Sequence, residues 1–183
     1  MSEANEILKE IEGMAERKFL PIVGPEKGQV LAKTVLEVEP KRVLEIGTLV
    51  GYSAIVMGKE LGKETHLITI EIHDDEARIA RRNVERAKIP PTVKVIVGDA
   101  KEIIPKLQGE FDLVFVDAEK SEYLEYLQLV ETKLHKGSTI VADNAGIFAD
   151  QMNDYLGYVR SSGKYRSRFV PVAEDGLEIS AKL

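Results

Sequence analysis

Asp117, Asp143 and Asn144 each follow directly on a run of apolar, strand-forming residues, FDLVFV and STIVA. Two carboxylates and one amide oxygen are hard donors. They suit Mg²⁺, or a related divalent cation such as Mn²⁺ or Ca²⁺, which takes an oxygen shell and leaves positions for water or substrate. Taken alone, Asp143-Asn144 would serve as a turn or helix cap, places both residue types favour. Neighbouring parallel strands run roughly 4.8 Å apart, so a second strand ending in Asp117 lets the three side chains converge on one ion.

Three further apolar runs end similarly, in Glu45-Ile46-Gly47, in Glu71 and in Gly98-Asp99. Carboxylates gathered on one rim repel each other unless a cation or a cationic ligand neutralises them. Glu71 closes LITIE, where an acid can accept two hydrogen bonds from ribose hydroxyls; the bland alternative is a solvated strand end. VLEIGTLVGYSA (43–54) reads as strand, glycine turn and helix start, with Gly47 and Gly51 allowing a tight turn and close backbone approach. Leu49 and Val50 spoil a full G-x-G-x-x-G, which argues against a pyrophosphate on this turn. His66, His73 and His135 show no convergent spacing and are read as surface residues rather than zinc ligands.

The elements that must carry these residues alternate between two periods. Helical spacing is expected over 3–18, from about Glu26 to Val38, and over 52–62, 74–88, 100–107, 121–135 and roughly 148–161. Between them lie KRVLEIG, THLITIEI, PTVKVIVGD, EFDLVFVDA and GSTIVADNA, apolar enough to be strands covered on both faces. The pattern predicts an α/β fold of three layers with a mostly parallel sheet. The tail YRSRFVPVAEDGLEISAKL is read as a closing antiparallel hairpin turning at Asp175-Gly176. In such a sheet, ligands bind beyond the carboxyl ends of the strands, so the acidic ends together form one candidate site.

Length and composition bound the possibilities. A chain of 183 residues with 44% hydrophobic content is expected to fold as a single domain, 1–183, with the N-terminal helix (1–20) over the site entrance. A net charge of -6 disfavours a nucleic-acid partner, which needs clustered Lys and Arg. The absence of cysteine excludes disulfides and thiolate metal sites. No apolar run approaches the ~18 residues of a membrane span, and the charged start MSEANEILKEIEG is unlike a signal peptide. The expected location is therefore the cytoplasm, with no membrane partner.

VLEIGTLVGYSA, ITIEI, VGDA and FDLVFVDAEK, followed by ADN and DGLE, together resemble the class I S-adenosylmethionine-dependent methyltransferases, close to the catechol O-methyltransferase group. The resemblance covers roughly residues 19–183 and implies a Rossmann-like methyltransferase fold. It implies that Glu45 offsets the methionine ammonium, that Gly47, Thr48 and Ser53 hold the methionine portion, and that Val23 lies against the cofactor. Glu71 would clamp the ribose, Ile72 would stack on adenine, and Asp99 and Ala100 would border its edge. Ala100 and Lys101 stand where the mammalian enzyme has serine and glutamine. Asp117 would serve cofactor and metal together, and Lys120 would be the general base, since a nearby divalent cation favours a neutral amine. Glu178 would bind the hydroxyl that is not methylated, pointing to a small aromatic diol as substrate. Phe19 and Phe148 match gatekeeper positions beside the ring, although ordinary packing explains them equally well.

Three rivals remain at this level. A dehydrogenase on the same framework gives no role to Asp117, Asp143 and Asn144. A methyltransferase for another acceptor, such as a caffeoyl thioester-like phenol or a hydroxylated RNA base, shares every motif except the reason for Glu178. A noncatalytic binding protein leaves the complete set of chemical positions unexplained. The expected assembly is a monomer or homodimer.

Overall fold

The computed structural model describes residues 2–183. Helix α1 (Glu3–Arg17) starts at Ser2, whose hydroxyl accepts the Asn5 N–H. Its apolar stripe of Ala4, Ile7, Leu8 and Ile11 packs on helices α3 (Tyr52–Gly58) and α4 (Asp74–Ala87). Helix α2 (Gly24–Val38) begins two residues earlier than its periodicity suggests, with Pro25 in its first turn, where a missing N–H costs nothing. Among the described residues no helix is long and apolar enough to cross a membrane.

Seven strands form one sheet: β1 (Arg42–Ile46), β2 (His66–Glu71), β3 (Thr92–Val97), β4 (Phe111–Val116), β5 (Leu134–Ala142), β6 (Tyr165–Val172) and β7 (Asp175–Lys182). Their order is β3-β2-β1-β4-β5-β7-β6, with the first five parallel and β7 antiparallel to both its neighbours. The chain winds outward from β1 in both directions, so the switch point lies between β1 and β4.

Side chains alternate across each strand and divide the interior into two apolar layers. Val43, Leu67, Leu113, Phe115, Val141 and Leu177 face α1, α2 and α3. Leu44, Ile46, Ile70, Val114, Val116 and Ile140 face helices α6 (Tyr123–Val130) and α7 (Asn153–Ser161) and the short α5 (Ala100–Ile103). The same alternation puts Glu45 on the α3 side of β1, in a place otherwise filled by an apolar residue.

Several helical stretches are shorter than their sequence patterns. The 121–135 segment divides into α6 flanked by 3-10 turns, and β5 begins at Leu134. Leu134 pairs with Phe111, and the Ser138 hydroxyl holds the bend after it by donating to the Phe111 carbonyl and accepting the His135 N–H. Residues 145–152 form turns, and α7 starts only at Asn153. The β6–β7 turn lies at Ala173-Glu174, two residues before the expected place, because Val172 already pairs with Asp175. Gly176 is needed inside the strand: a Cβ there would lie 2.5 Å from the Phe169 ring and from the Val170 carbonyl oxygen.

Candidate active site

A cavity of about 780 Å³ runs across the carboxyl ends of the parallel strands. The β1–α3 turn forms its floor. Gly47 has φ +96°, and a Cβ there would overlap the Asp117 carbonyl at 2.1 Å, so only glycine lets this turn lie against the end of β4. Leu49, also left-handed at φ 48°, donates its N–H to Glu71 Oε2 at 2.7 Å. The other Glu71 oxygen accepts the His73 N–H at 3.0 Å. The second-strand acid is thus fixed by two backbone donors at the cavity wall.

Val23, Gly47, Thr48 and Ser53 line the cavity, as do Ile72, Asp99 and Ala100. Asp99 caps α5 by accepting the Lys101 N–H at 2.8 Å. Phe19, 94% exposed, and Phe148 belong to the entrance. The lining draws on the segment from Phe19 to Val23 and on no residue of α1.

Glu45 does not reach the cavity. It is fully buried behind the wall, where its carboxyl accepts the hydroxyls of Ser53 and Thr69. The side chain that faces the cavity there is Ser53. Burial pushes Glu45 up to about 8, against the opposing pull of the two hydroxyls. A folded value above the ordinary 4.5 means that folding favours the protonated acid. Its contribution is complete below about 4.5 and is lost as pH rises through about 8. Wild-type stability in denaturant is therefore expected to fall from pH 5 to 8.5 more steeply than that of Glu45→Gln. Parallel curves would show that Glu45 does not titrate in this range.

Asp117, Asp143 and Asn144 all line the cavity. The Asp143 N–H bonds the Val116 carbonyl at 2.9 Å, so the β4 and β5 ends advance in register. Burial and the Asp117 charge push Asp143 up to about 7, against the Lys27 ammonium 2.6 Å from its Oδ1. Lys120 Nζ lies 2.8 Å from Asp117 Oδ1 and 2.9 Å from the Tyr123 hydroxyl.

Glu178 departs from its expected role. It is 1% exposed and lies opposite Ala142, inside the sheet, with its carboxylate on the α7 side. Arg160 binds both its oxygens, at 2.9 and 2.7 Å, and the Ser167 hydroxyl donates to one of them at 2.6 Å. The acid that reaches the rim is Asp175, three residues earlier. Its Oδ2 accepts Asn144 Nδ2 and Lys27 Nζ, each at 2.8 Å, and its Oδ1 accepts the N–H groups of Gly146 and Ile147. Burial alone would raise Asp175, but Lys27 and these donors hold it down at about 2.

A family model described as O-methyltransferase matches residues 1–154. The chain belongs to the O-methyltransferase family. Catechol O-methyltransferase B of Danio rerio is 38% identical over 180 residues, covering 91% of this chain and 67% of that protein. Catechol O-methyltransferase of Sus scrofa is 36% identical over 169 residues, covering 85% and 90% respectively. Among solved structures, the O-methyltransferase TomG from Streptomyces achromogenes, in complex with SAM, has a TM-score of 0.85 at 25% identity, covering 97% of this chain and 89% of that one.

Two residues of this O-methyltransferase escaped the sequence reading. Lys27 looks like a solvated lysine in the first turn of a helix, and its partners lie far along the chain. Asp175 looks like half of a turn. Together they orient the methyltransferase rim: Asp175 engages the Asn144 amide nitrogen and leaves its amide oxygen as a free acceptor. A second cluster, Glu71, His73 and Glu76, has one ligand atom from each residue within 4.8 Å of the others. This departs from the reading of the histidines as scattered. Both Glu71 oxygens accept backbone N–H groups, and burial together with the Glu71 charge pushes Glu76 up.

Glu71→Ala in the methyltransferase is expected to weaken S-adenosylhomocysteine binding by about 100-fold, as charge-assisted hydrogen bonds contribute about 1.5–3 kcal/mol each. Titration calorimetry measures this directly. An unchanged affinity would count against Glu71 as a cofactor contact.

Proposed function

We propose that the protein transfers the methyl group of S-adenosylmethionine to a hydroxyl of a small catechol-type aromatic, with Mg²⁺, Mn²⁺ or Ca²⁺ held by Asp117, Asp143 and Asn144. The observation that carries this reading is the placing of Lys120, tied to Asp117 and Tyr123, in the same cavity as the anchored Glu71. The donor set fits a divalent cation. All three side chains offer oxygen, and the two acids stand close enough for one to raise the other.

When bound, S-adenosylmethionine supplies the methyl group and the divalent cation supplies Lewis acidity toward the acceptor hydroxyl. Glu71 accepts the ribose hydroxyls, while Ser53, Thr48 and the Gly47 backbone hold the methionine portion. Ile72, 60% exposed at the cavity wall, offers its apolar side to the adenine face. Lys120 Nζ receives the proton of the acceptor hydroxyl, and its bonds to Asp117 and Tyr123 fix the amine in place. Phe19, Ile147 and Phe148 give the acceptor ring an apolar wall.

Support for the catechol comes from the relatives' names and from a rim that can hold two oxygens. Glu178 no longer adds to it, because Arg160 engages both its oxygens. The exposed apolar entrance of Phe19 and Ile147 therefore also favours a second reading, a larger phenol of the caffeoyl thioester kind.

The test is S-adenosylhomocysteine formation, followed by mass spectrometry, from 3,4-dihydroxybenzoate and from 4-hydroxybenzoate, with Mg²⁺ and with excess EDTA. Product from the diol alone, and only with metal, is expected. Product that survives EDTA would remove the metal from the reaction. Lys120→Ala is expected to lower turnover by about 10²- to 10⁴-fold with S-adenosylhomocysteine affinity unchanged; full activity across pH would rule Lys120 out as the base.

A further inference from the structure

The cavity lining includes an ion pair that the methyl-transfer chemistry does not use. Lys101 Nζ lies 2.5 Å from Glu122 Oε1, and the Tyr126 hydroxyl donates to Glu122 Oε2, also at 2.5 Å. All three residues line the cavity. Lys101 and Glu122 are each about one-third exposed. Lys101 is raised chiefly by its hydrogen bond to Glu122, and Glu122 is lowered chiefly by the same bond, so the pair is charged at neutral pH.

The strand order fixes what reaches this pair. If Glu71 at the end of β2 holds the ribose, the base extends toward the end of the neighbouring β3, where Gly98, Asp99 and Ala100 form the wall. Asp99 has one oxygen committed to capping α5 and its other can only accept, so Lys101 is the donor at this edge and Glu122 stands beside it as an acceptor. Lys101 can only donate and Glu122 can only accept. The 6-amino edge of adenine presents the complement, an N–H donor on N6 beside an acceptor at N1 or N7.

Resting on the proposed cofactor, the geometry points to Lys101 and Glu122 as the adenine reader: Glu122 accepts the N6–H and Lys101 donates to the adjacent ring nitrogen. Tyr126 holds Glu122 in position. The pair thereby supplies, from two charged side chains on separate elements, the donor and acceptor that a single amide side chain would carry. Hypoxanthine reverses the pattern, placing an oxo group against Glu122. This makes the pair a specificity determinant against the inosine form of the cofactor.

Calorimetry on the full chain, with three ligands, tests this. Wild type is expected to bind S-adenosylhomocysteine about 10- to 100-fold more tightly than S-inosylhomocysteine. Glu122→Gln, whose amide can turn its N–H₂ toward an oxo group, is expected to reduce that preference to about threefold or less. Lys101→Met is expected to weaken S-adenosylhomocysteine binding by about tenfold. S-ribosylhomocysteine, which has no base, should bind all three proteins equally, and thermal midpoints confirm that the variants fold. Wild-type discrimination retained in Glu122→Gln, or absent from wild type, overturns the adenine reader while leaving the cofactor reading intact. Failure of wild type to bind S-adenosylhomocysteine at all overturns both.

Discussion

Asp143→Asn is expected to lower methyl transfer by about 10³-fold or more while leaving S-adenosylhomocysteine affinity within about twofold of wild type. A metal acting as Lewis acid is worth several kcal/mol at the transition state, and each 1.4 kcal/mol is tenfold in rate. Asparagine keeps the side-chain oxygen that accepts the Asn144 N–H, so the local turn should survive. What is removed is the charge. Mg²⁺ affinity, measured by calorimetry without acceptor, should fall in parallel. Asp175→Ala is a graded version of the same change: it leaves the three proposed ligands intact but frees the Asn144 amide and one partner of Lys27. Outer partners of metal ligands typically contribute 10- to 100-fold in affinity, and the loss should lie in that range. Full Mg²⁺-dependent turnover in Asp143→Asn would disprove the proposed metal site.

The second large effect is on stability and lies away from the cavity. Arg160→Met is expected to destabilise the fold by about 3 kcal/mol, because it strands the Glu178 carboxylate, 1% exposed, with Ser167 as its remaining side-chain donor. Breaking a buried pair costs about 3–5 kcal/mol, and the low end applies because the Arg160 side chain is 44% exposed. For a chain of this size the thermal midpoint should drop by about 6–12 °C. KM for the acceptor at 20 °C should not move. A midpoint within 2 °C of wild type would show that the pair contributes no stability, and a changed KM would return Glu178 to the site.

Much of the site was legible because strand ends carry their own signal. A continuous apolar run that stops at an acid places that acid at a strand end lining the cavity, and Glu71, Asp117 and Asp143 all follow this rule. The same logic fails where motif position is used without strand parity. Asp175 and Glu178 are three residues apart on one strand, so they project to opposite faces, and only the residue at the strand's start can reach the rim. An Asp-Gly pair suggests a turn, but Gly176 is required by the Phe169 ring packed against it. Glu45 was legible as an acid beside the glycine turn but not as a buried one, since burial depends on α3 covering it. Lys27 had no local signal, because a lysine's partner in a folded protein is set by topology rather than by its neighbours in sequence.

The Lys27–Asp175 contact closes a loop of 148 residues. A polypeptide made from its N-terminus presents Lys27 before Asp117 and Asp143, and Asp175 after all three. Until β7 inserts between β5 and β6, Asn144 lacks the carboxylate that orients it and Lys27 has a single acid to answer. The five parallel strands can therefore pair before the Asn144 and Lys27 contacts to Asp175 exist, so the orientation of this part of the rim is coupled to docking of the β6–β7 hairpin.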